Sequence, residues 1–213
     1  MKVYVAIDDP YKKNCNQYAS TLINGINCQF DDVEWGYGYD VFWTNSIFSY
    51  DIIHIHWPHL FFFYYKGDNI LEEIETRFIA IKNKGVRIVS TCHNLKPHYS
   101  YNRIQCDLYD VVYRNSDMLL HLGVYSCELL TKRYSNVIHK LLYHHVYDKV
   151  FTTYSTKEES CRYLNLDPHK KYILCFGLFR DNEEREMIIK LAREIKEQGV
   201  SILAPSFYMV IKR

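Results

Sequence analysis

Short apolar runs alternate along the first 150 residues with longer segments whose apolar side chains recur at helical spacing. The run at 2–7 is apolar on both faces, which is typical of a buried parallel strand. Strands and helices in alternation predict a parallel sheet covered on both sides, a doubly wound α/β domain. The predicted strands are 2–7, 51–57, 86–92, 117–122 and 137–142, and the predicted helices lie near 18–26, 69–85, 104–115 and 125–134.

The same alternation restarts in the last third of the chain. Apolar runs at 172–177 and 200–204 flank a segment of helical period. A strand–helix–strand unit of this kind is parallel, but one such unit cannot close a core of its own. We therefore predict two domains: a Rossmann-like domain over 1–150, and over 151–213 the incomplete start of a second one.

Two other stretches carry local signals. Residues 28–50 hold Gly36, Gly38 and many aromatic side chains, and they fit either a pair of strands or a structured loop. Thr156 and Glu159 have the spacing of a capping box, which predicts that a helix begins there.

The composition is that of an ordinary globular protein, with 48% apolar and 24% charged residues. A net charge of +1 gives no reason to expect a nucleic-acid partner. Seven cysteines without a Cys-x-x-Cys pair favour a reducing cytoplasm. The first strand turns acidic at Asp8 before a signal-peptide core forms, and the apolar stretch 60–65 is far shorter than the roughly 20 residues of a membrane-spanning helix. We expect a soluble, cytoplasmic protein.

Ligands of open α/β sheets bind at the carboxyl ends of the strands, where loops and helix N-termini meet. The first strand is followed by neither a Gly-x-Gly-x-x-Gly loop nor a phosphate loop, which argues against dinucleotide and P-loop chemistry, so no cofactor is expected. The candidate positions at predicted strand ends are Asp8 and Asp9, the stretch from His56 to His59, His93 and Asn94, Gly123, and the stretch from Gly177 to Arg180.

His93 directly follows the predicted strand 86–92. An imidazole in this place can hydrogen-bond a sugar hydroxyl or carry a proton near neutral pH. The alternative is a loop histidine that caps a neighbouring backbone group.

Three nearby histidines suggest a second kind of chemistry. His54 and His56 point to the same face of a strand, and with His59 they could form the zinc site of a metal-dependent hydrolase. Against this, no carboxylate follows in the local motif, and His54 lies inside an apolar run. We expect no metal, a hydrogen-bonded His54 in the core, and a cleft loop that begins at His56 and Trp57.

The turn after the strand at 172–177 also has two interpretations. Arg180 lies beside a helix N-terminus, which suits a diphosphate. Equally, Asp181, Glu183 and Glu184 would complement the helix dipole and pair with Arg180. Both interpretations stay open.

Four segments, taken in order, resemble bacterial capsular and exopolysaccharide glycosyltransferases, retaining-type enzymes of the two-Rossmann-domain (GT-B) fold. The resemblance implies that the catalytic His93 faces the interdomain cleft near the transferred sugar, and that Gly177 and Arg180 lie against the donor diphosphate. The segments are DIIHIHWP (51–58), VSTCHNLKPH (89–98), SDMLLHLG (116–123) with HHVY (144–147), and ILCFGLFRDNEER (173–185).

The resemblance implies a hexosyltransferase-type enzyme of polysaccharide biosynthesis. It would transfer a sugar from a UDP- or GDP-linked nucleotide sugar to a glycan or lipid-linked acceptor. From its own residues, the aromatic loop 57–65 is expected to contact a lipid-linked acceptor peripherally, at the inner membrane face. Truncation of the donor domain would instead leave a catalytically inactive binding module. The expected acceptor-binding residues are Asp8, His56, Trp57, Asn94 and Gly123.

Overall fold

The computed structural model describes residues 1–12, 15–97, 103–147, 155–177, 179 and 181–205. The chain divides into two compact units, Met1–Val150 and Phe151–Arg213.

The first unit is built on a six-stranded sheet in which every neighbouring pair is parallel. The strand order is β2-β1-β3-β4-β5-β6, so the chain winds to one side of β1 and then continues on the other. The strands are β1 (Lys2–Ala6), β2 (Glu34–Gly36), β3 (Ile52–Ile55), β4 (Arg87–Cys92), β5 (Met118–His121) and β6 (Ile138–Leu141).

Five described helices connect these strands. The predicted helical stripe near 69–85 is confirmed, because one face of α3 is buried and the Asn69 side chain accepts a hydrogen bond from the Glu72 amide. The helix is followed by Gly85, whose φ of +82° favours glycine. The helices are α1 (Gln17–Asn27), α2 (Leu60–Tyr64), α3 (Ile70–Asn83), α4 (Arg103–Asn115) and α5 (Val124–Arg133).

Residues 28–50 combine features of both interpretations. One short strand, β2, adds to the edge of the sheet beside β1. Two 3-10 turns follow at Val41–Trp43 and Asn45–Ser49, where Phe42 and Ile47 are buried. The segment is therefore a single strand followed by a structured loop that covers the core.

The core of the first unit lies on both faces of the sheet. In β1, Val3 and Val5 pack with Ala19 and Ile23 of α1, while the alternating Tyr4 belongs to the larger cluster on the other face. This alternation follows from the twofold repeat of side chains along a strand. The predicted doubly wound α/β fold is confirmed.

The second unit contains a parallel pair of strands and two helices. The predicted capping box is confirmed, since Thr156 and Glu159 exchange side-chain and backbone hydrogen bonds. None of the residues of the second helix is buried. The elements are α6 (Lys157–Tyr163), β7 (Lys171–Leu174), α7 (Asn182–Ile195), a 3-10 turn at Lys196–Gln198, and β8 (Val200–Leu203).

None of the helices in the described segments has the length and apolarity needed to cross a bilayer.

Candidate functional site

A cleft of about 760 Å³ opens at the carboxyl edge of the sheet in the first unit. The residues that follow β3, β4 and β5 meet there, as expected for a doubly wound sheet. The helices α2 and α4, the residue before α1 and a residue beyond β6 supply the remaining wall. The lining residues are Asn16, Trp57, His59, Leu60, Phe63, His93, Asn94, Pro97, Gln105, Leu122 and His144.

His93 is held in the cleft wall by three rings. Trp57 stacks on it, with ring centroids 4.7 Å apart and planes inclined by 22°. Tyr18 meets it edge-on at 4.6 Å. His56 lies behind it, and the His56 Nδ1 and His93 Nε2 atoms are 3.0 Å apart, a hydrogen bond. The ring contacts therefore fix the plane of the His93 imidazole. The hydrogen bond to His56 fixes which edge of the ring faces the interior.

Burial keeps these imidazoles neutral. Burial, with a smaller contribution from the nearby His144, lowers the pKa of His93 to about 4. Burial also lowers the pKa of His54 to about 4, and His93 adds to the effect. The pKa of His56 falls well below its ordinary value because of burial and, secondarily, of the adjacent His54 and His93. At neutral pH the imidazole of His93 in the cleft wall is therefore uncharged, as are those of the buried His54 and His56.

The three histidines of the metal hypothesis have separate partners. His54 Nε2 is 2.8 Å from the Thr91 hydroxyl, and His59 Nδ1 is 2.7 Å from the Tyr109 hydroxyl, whereas His56 binds His93. Across the described segments, no group of three or more histidine, cysteine or acidic side chains could hold a metal ion. The hydrolase alternative gains no support from this geometry. His54 is the hydrogen-bonded core residue that its apolar surroundings predict.

The expected acceptor residues divide into two groups. Trp57 and Asn94 line the cleft, and the Asn94 carbonyl accepts a hydrogen bond from the Tyr113 hydroxyl. His56 is buried behind His93, with an exposed fraction of 1%. Gly123 begins α5 without lining the cleft. Asp8 is exposed and accepts a 3.5 Å hydrogen bond from the Tyr64 hydroxyl, also outside the cleft lining.

The expected diphosphate residues lie in the second unit. Gly177 follows β7 with a φ of +104°, a backbone conformation that favours glycine. Arg180 lies outside the described residues. Asp181 caps α7 by accepting a hydrogen bond from the Glu184 amide at 2.9 Å, so at least one acidic residue of this turn complements the helix start.

Sequence reasoning missed Gln105. Its side chain is buried and lines the cleft, and its Oε1 atom has no hydrogen-bond partner among the described residues. A buried amide oxygen without a partner is costly, which makes it a natural acceptor for a ligand hydroxyl. Its helical spacing was the signal available in the sequence, because Gln105 falls on the same face of α4 as the buried Leu108, Tyr109 and Val112.

No protein-family model matches this sequence, and no curated protein matches it. Among solved structures, the fold is similar to the crystal structure of Anabaena Alr3699/HepE in complex with UDP, with a TM-score of 0.50 and 10% identity. The alignment covers 96% of this chain and 69% of that chain. At this level of identity the similarity shows a shared α/β fold.

Proposed function

We propose that this chain belongs to a glycosyltransferase that uses a nucleotide sugar as its donor. The observation that carries the proposal is the cleft at the carboxyl edge of the sheet, where aromatic rings lie beside neutral hydrogen-bonding groups. Sugars present apolar C–H faces and hydroxyls, which complement these two kinds of group. The fold similarity to a protein crystallised with UDP supports a nucleotide-linked donor.

The cleft residues suit a carbohydrate in two ways. Trp57 and Phe63 offer apolar ring surface against which a sugar face can pack. His93, Asn94 and Gln105 offer uncharged polar groups in the same wall. A neutral cleft of this kind binds hydroxyls without attracting counter-ions, and so favours a glycan acceptor over a charged one.

The reaction is transfer of a glycosyl group. The bond between the anomeric carbon and the donor diphosphate breaks, and a new bond forms from that carbon to an acceptor hydroxyl oxygen. The hydroxyl proton leaves with the nucleoside diphosphate or to solvent. Groups aimed at the departing diphosphate stabilise its developing charge.

We further propose that the acceptor, a glycan or a lipid-linked glycan of polysaccharide biosynthesis, binds the first unit. The second unit contributes to a donor site in which Gly177 and Arg180 contact the diphosphate. The exposed aromatic surface of α2, which includes Phe63 and Tyr64, makes peripheral contact with the membrane.

Binding and turnover test the proposal directly. The chain is titrated by calorimetry with UDP-glucose, UDP-N-acetylglucosamine and GDP-mannose, and release of free nucleotide is followed with mono- and oligosaccharide acceptors. We expect saturable binding or turnover with one donor. Trp57→Ala should lower the efficiency of transfer about tenfold, because the stacking surface is lost.

Phe30→Ala is the matched control, since Phe30 is an aromatic residue of the first unit that is 58% exposed and lies outside the cleft lining. Glycan binding without nucleotide-sugar binding would instead identify a binding module. A folded chain that binds neither a nucleotide sugar nor a glycan would contradict the proposal.

A further inference from the structure

His56 and His93 form a pair of imidazoles that are joined by a hydrogen bond. His56 Nδ1 and His93 Nε2 are 3.0 Å apart. In the described part of the chain, no hydrogen bond engages the second nitrogen of either ring, which is Nε2 in His56 and Nδ1 in His93. The two free nitrogens differ in their surroundings: His56 Nε2 is buried, whereas His93 lines the cleft.

Counting protons leaves two arrangements for this pair. Because both rings are neutral, each carries one N–H, and only one of the two facing nitrogens can hold a hydrogen. In the first arrangement, His56 donates from Nδ1, so His93 carries its hydrogen on Nδ1, the nitrogen that does not face His56. In the second, His93 donates from Nε2, so the hydrogen of His56 lies on its buried Nε2.

The surroundings of His56 favour the first arrangement. The second would leave an N–H donor on His56 Nε2 buried without an acceptor. Buried N–H groups without partners are rarer in proteins than acceptors with an unused lone pair. An unpaired N–H of this kind leaves the cost of removing it from water uncompensated. The first arrangement leaves only a lone pair on that atom.

We propose that His56 is a positioning residue that holds His93 in the tautomer with its hydrogen on Nδ1, so that His93 presents an N–H donor to the cleft. The group that it recognises is an oxygen acceptor, either a sugar hydroxyl or a phosphoryl oxygen. The role of this donor in transfer rests on the proposed function, but the tautomer is a property of the free protein.

The proposal decides between the two roles that a histidine can play in this place. A ring with its hydrogen on Nδ1 has no lone pair toward the cleft, and therefore cannot remove a proton from an acceptor hydroxyl there. The low pKa of His93, about 4, agrees with this, since it makes the ring a poor base near neutral pH. His93 thus orients or polarises an oxygen rather than deprotonating it.

The rest of the pocket keeps the donor aimed. The Trp57 ring stacks on one face of His93, and the Tyr18 ring meets it edge-on. These contacts restrict rotation of the imidazole, while the hydrogen bond from His56 selects its tautomer. The orientation of the His93 ring is consequently set by its aromatic neighbours, whereas the position of its hydrogen is set by His56. The two effects can therefore be tested separately.

Nitrogen NMR on the whole chain tests the proposal without any ligand. In protein labelled with ¹⁵N-histidine, two-bond correlations from the ring carbon-bound hydrogens show which nitrogen of each ring is protonated. We expect the His93 Nδ1 to appear protonated and its Nε2 unprotonated at neutral pH. The reverse pattern in the wild-type protein would overturn the proposal, whether or not the chain proves to be a transferase.

Two isosteric variants sharpen the test. His56→Asn keeps an N–H donor near the position of Nδ1 and should preserve the Nδ1–H tautomer of His93. His56→Asp offers only acceptor oxygens, and should move the hydrogen of His93 to Nε2. An unchanged His93 spectrum in a folded His56→Asp protein would contradict the proposal. If that variant fails to fold, the wild-type spectrum and His56→Asn still decide.

His139→Asn is the control for a merely structural effect. His139 also takes part in a histidine pair, with its Nδ1 2.9 Å from His121 Nε2, but neither ring contributes to the cleft lining. This substitution should leave the His93 pattern unchanged. In a transfer assay, His56→Asp should lower kcat about tenfold or more, as loss of an aimed donor does, while His56→Asn should stay within about threefold of wild type.

Discussion

The two units of this chain show the same alternation of strands and helices but differ in what they bury. In the first unit, Ile74 and Phe78 of α3 and Ile88 of β4 are fully buried. In the second, α7 has an apolar stripe of similar spacing, yet none of its residues is buried. Phe176, two residues beyond the end of β7, is 92% exposed.

This difference shows that apolar periodicity predicts where helices and strands form. How deeply their side chains are buried depends on the strands and helices packed around them. In the first unit, β3 and β4 each have a strand on both sides, and helices cover the sheet. In the second unit, β7 and β8 are each bounded by a single described neighbour. Because hydrophobic stabilisation follows the apolar area removed from water, equal patterns give unequal stability.

Matched isoleucine substitutions should expose this difference most strongly. Ile74 lies on the buried face of α3 and Ile188 is half-buried on α7. We expect Ile74→Ala to lower the free energy of unfolding by about 3 kcal/mol or more, through lost burial and the cavity left behind. Ile188→Ala should lower it by about 1 kcal/mol or less.

Chemical denaturation followed by two signals checks this pair. All three tryptophans, Trp35, Trp43 and Trp57, lie in the first unit, so their fluorescence reports on that unit, while circular dichroism reports on the helices of both. Ile79→Ala, at a position of α3 that is 59% exposed, is the control and should change stability by less than about 0.5 kcal/mol. Equal effects of Ile74→Ala and Ile188→Ala would remove the contrast between the units.

Acid should also distinguish the two units. The pKa of His54 is about 4 in the folded chain, below the ordinary value of about 6.5. At a pH between these two pKa values, His54 is protonated in the unfolded chain and neutral in the folded one. The contribution of His54 to the free energy of unfolding is therefore highest above pH 6.5 and falls as the pH falls toward 4. For His54 alone the loss approaches about 3 kcal/mol.

The measurement is the free energy of unfolding of the first unit, from tryptophan fluorescence, at several pH values between 7 and 4. His54→Gln removes the titrating ring while keeping an amide near Thr91. In this variant, the loss of unfolding free energy between pH 7 and pH 4 should be smaller by about the 3 kcal/mol that His54 contributes. The second unit contains one histidine, the exposed His169, so this mechanism has no counterpart there. A profile that is equally steep in His54→Gln would contradict the assignment.

Much of the fold follows from sequence because its signals are local. The strand β1 lies in a nearly continuous apolar run, and α3 has an apolar stripe with a cap at Asn69 and a glycine after its end. Trp57, His93 and Asn94 could be anticipated in the cleft, because they lie just beyond the ends of buried parallel strands.

The contacts inside the site could not be predicted in the same way. The bond between His56 and His93 joins residues 37 positions apart, and its existence depends on strand register and side-chain rotation. Gln105 reaches the cleft from α4, whose place over the sheet is a tertiary property. Asp8 and Gly123 satisfy the strand-end rule but lie outside the cleft lining, since that rule locates an edge and not a pocket.

The helix caps provide the finest comparison between the units. Asn69 at the start of α3 and Asp181 at the start of α7 both accept a hydrogen bond from the backbone amide three residues later. Replacing either cap with alanine should cost about 1 kcal/mol of helix stability. The consequences should differ, because α3 is held by its buried face and α7 is not.

In α3, Asn69→Ala should lower the free energy of unfolding of the first unit while the native helix stays intact. In α7, Asp181→Ala should instead fray the first turn of the folded protein, because a helix with little packing depends on its local interactions. Backbone NMR chemical shifts over 182–186 and 70–74 measure the two responses. Asp181→Asn retains a capping oxygen and should leave the helix start unchanged. If Asp181→Ala leaves those shifts at their native values, α7 is held by packing after all, and the contrast between the two units is smaller than their burial indicates.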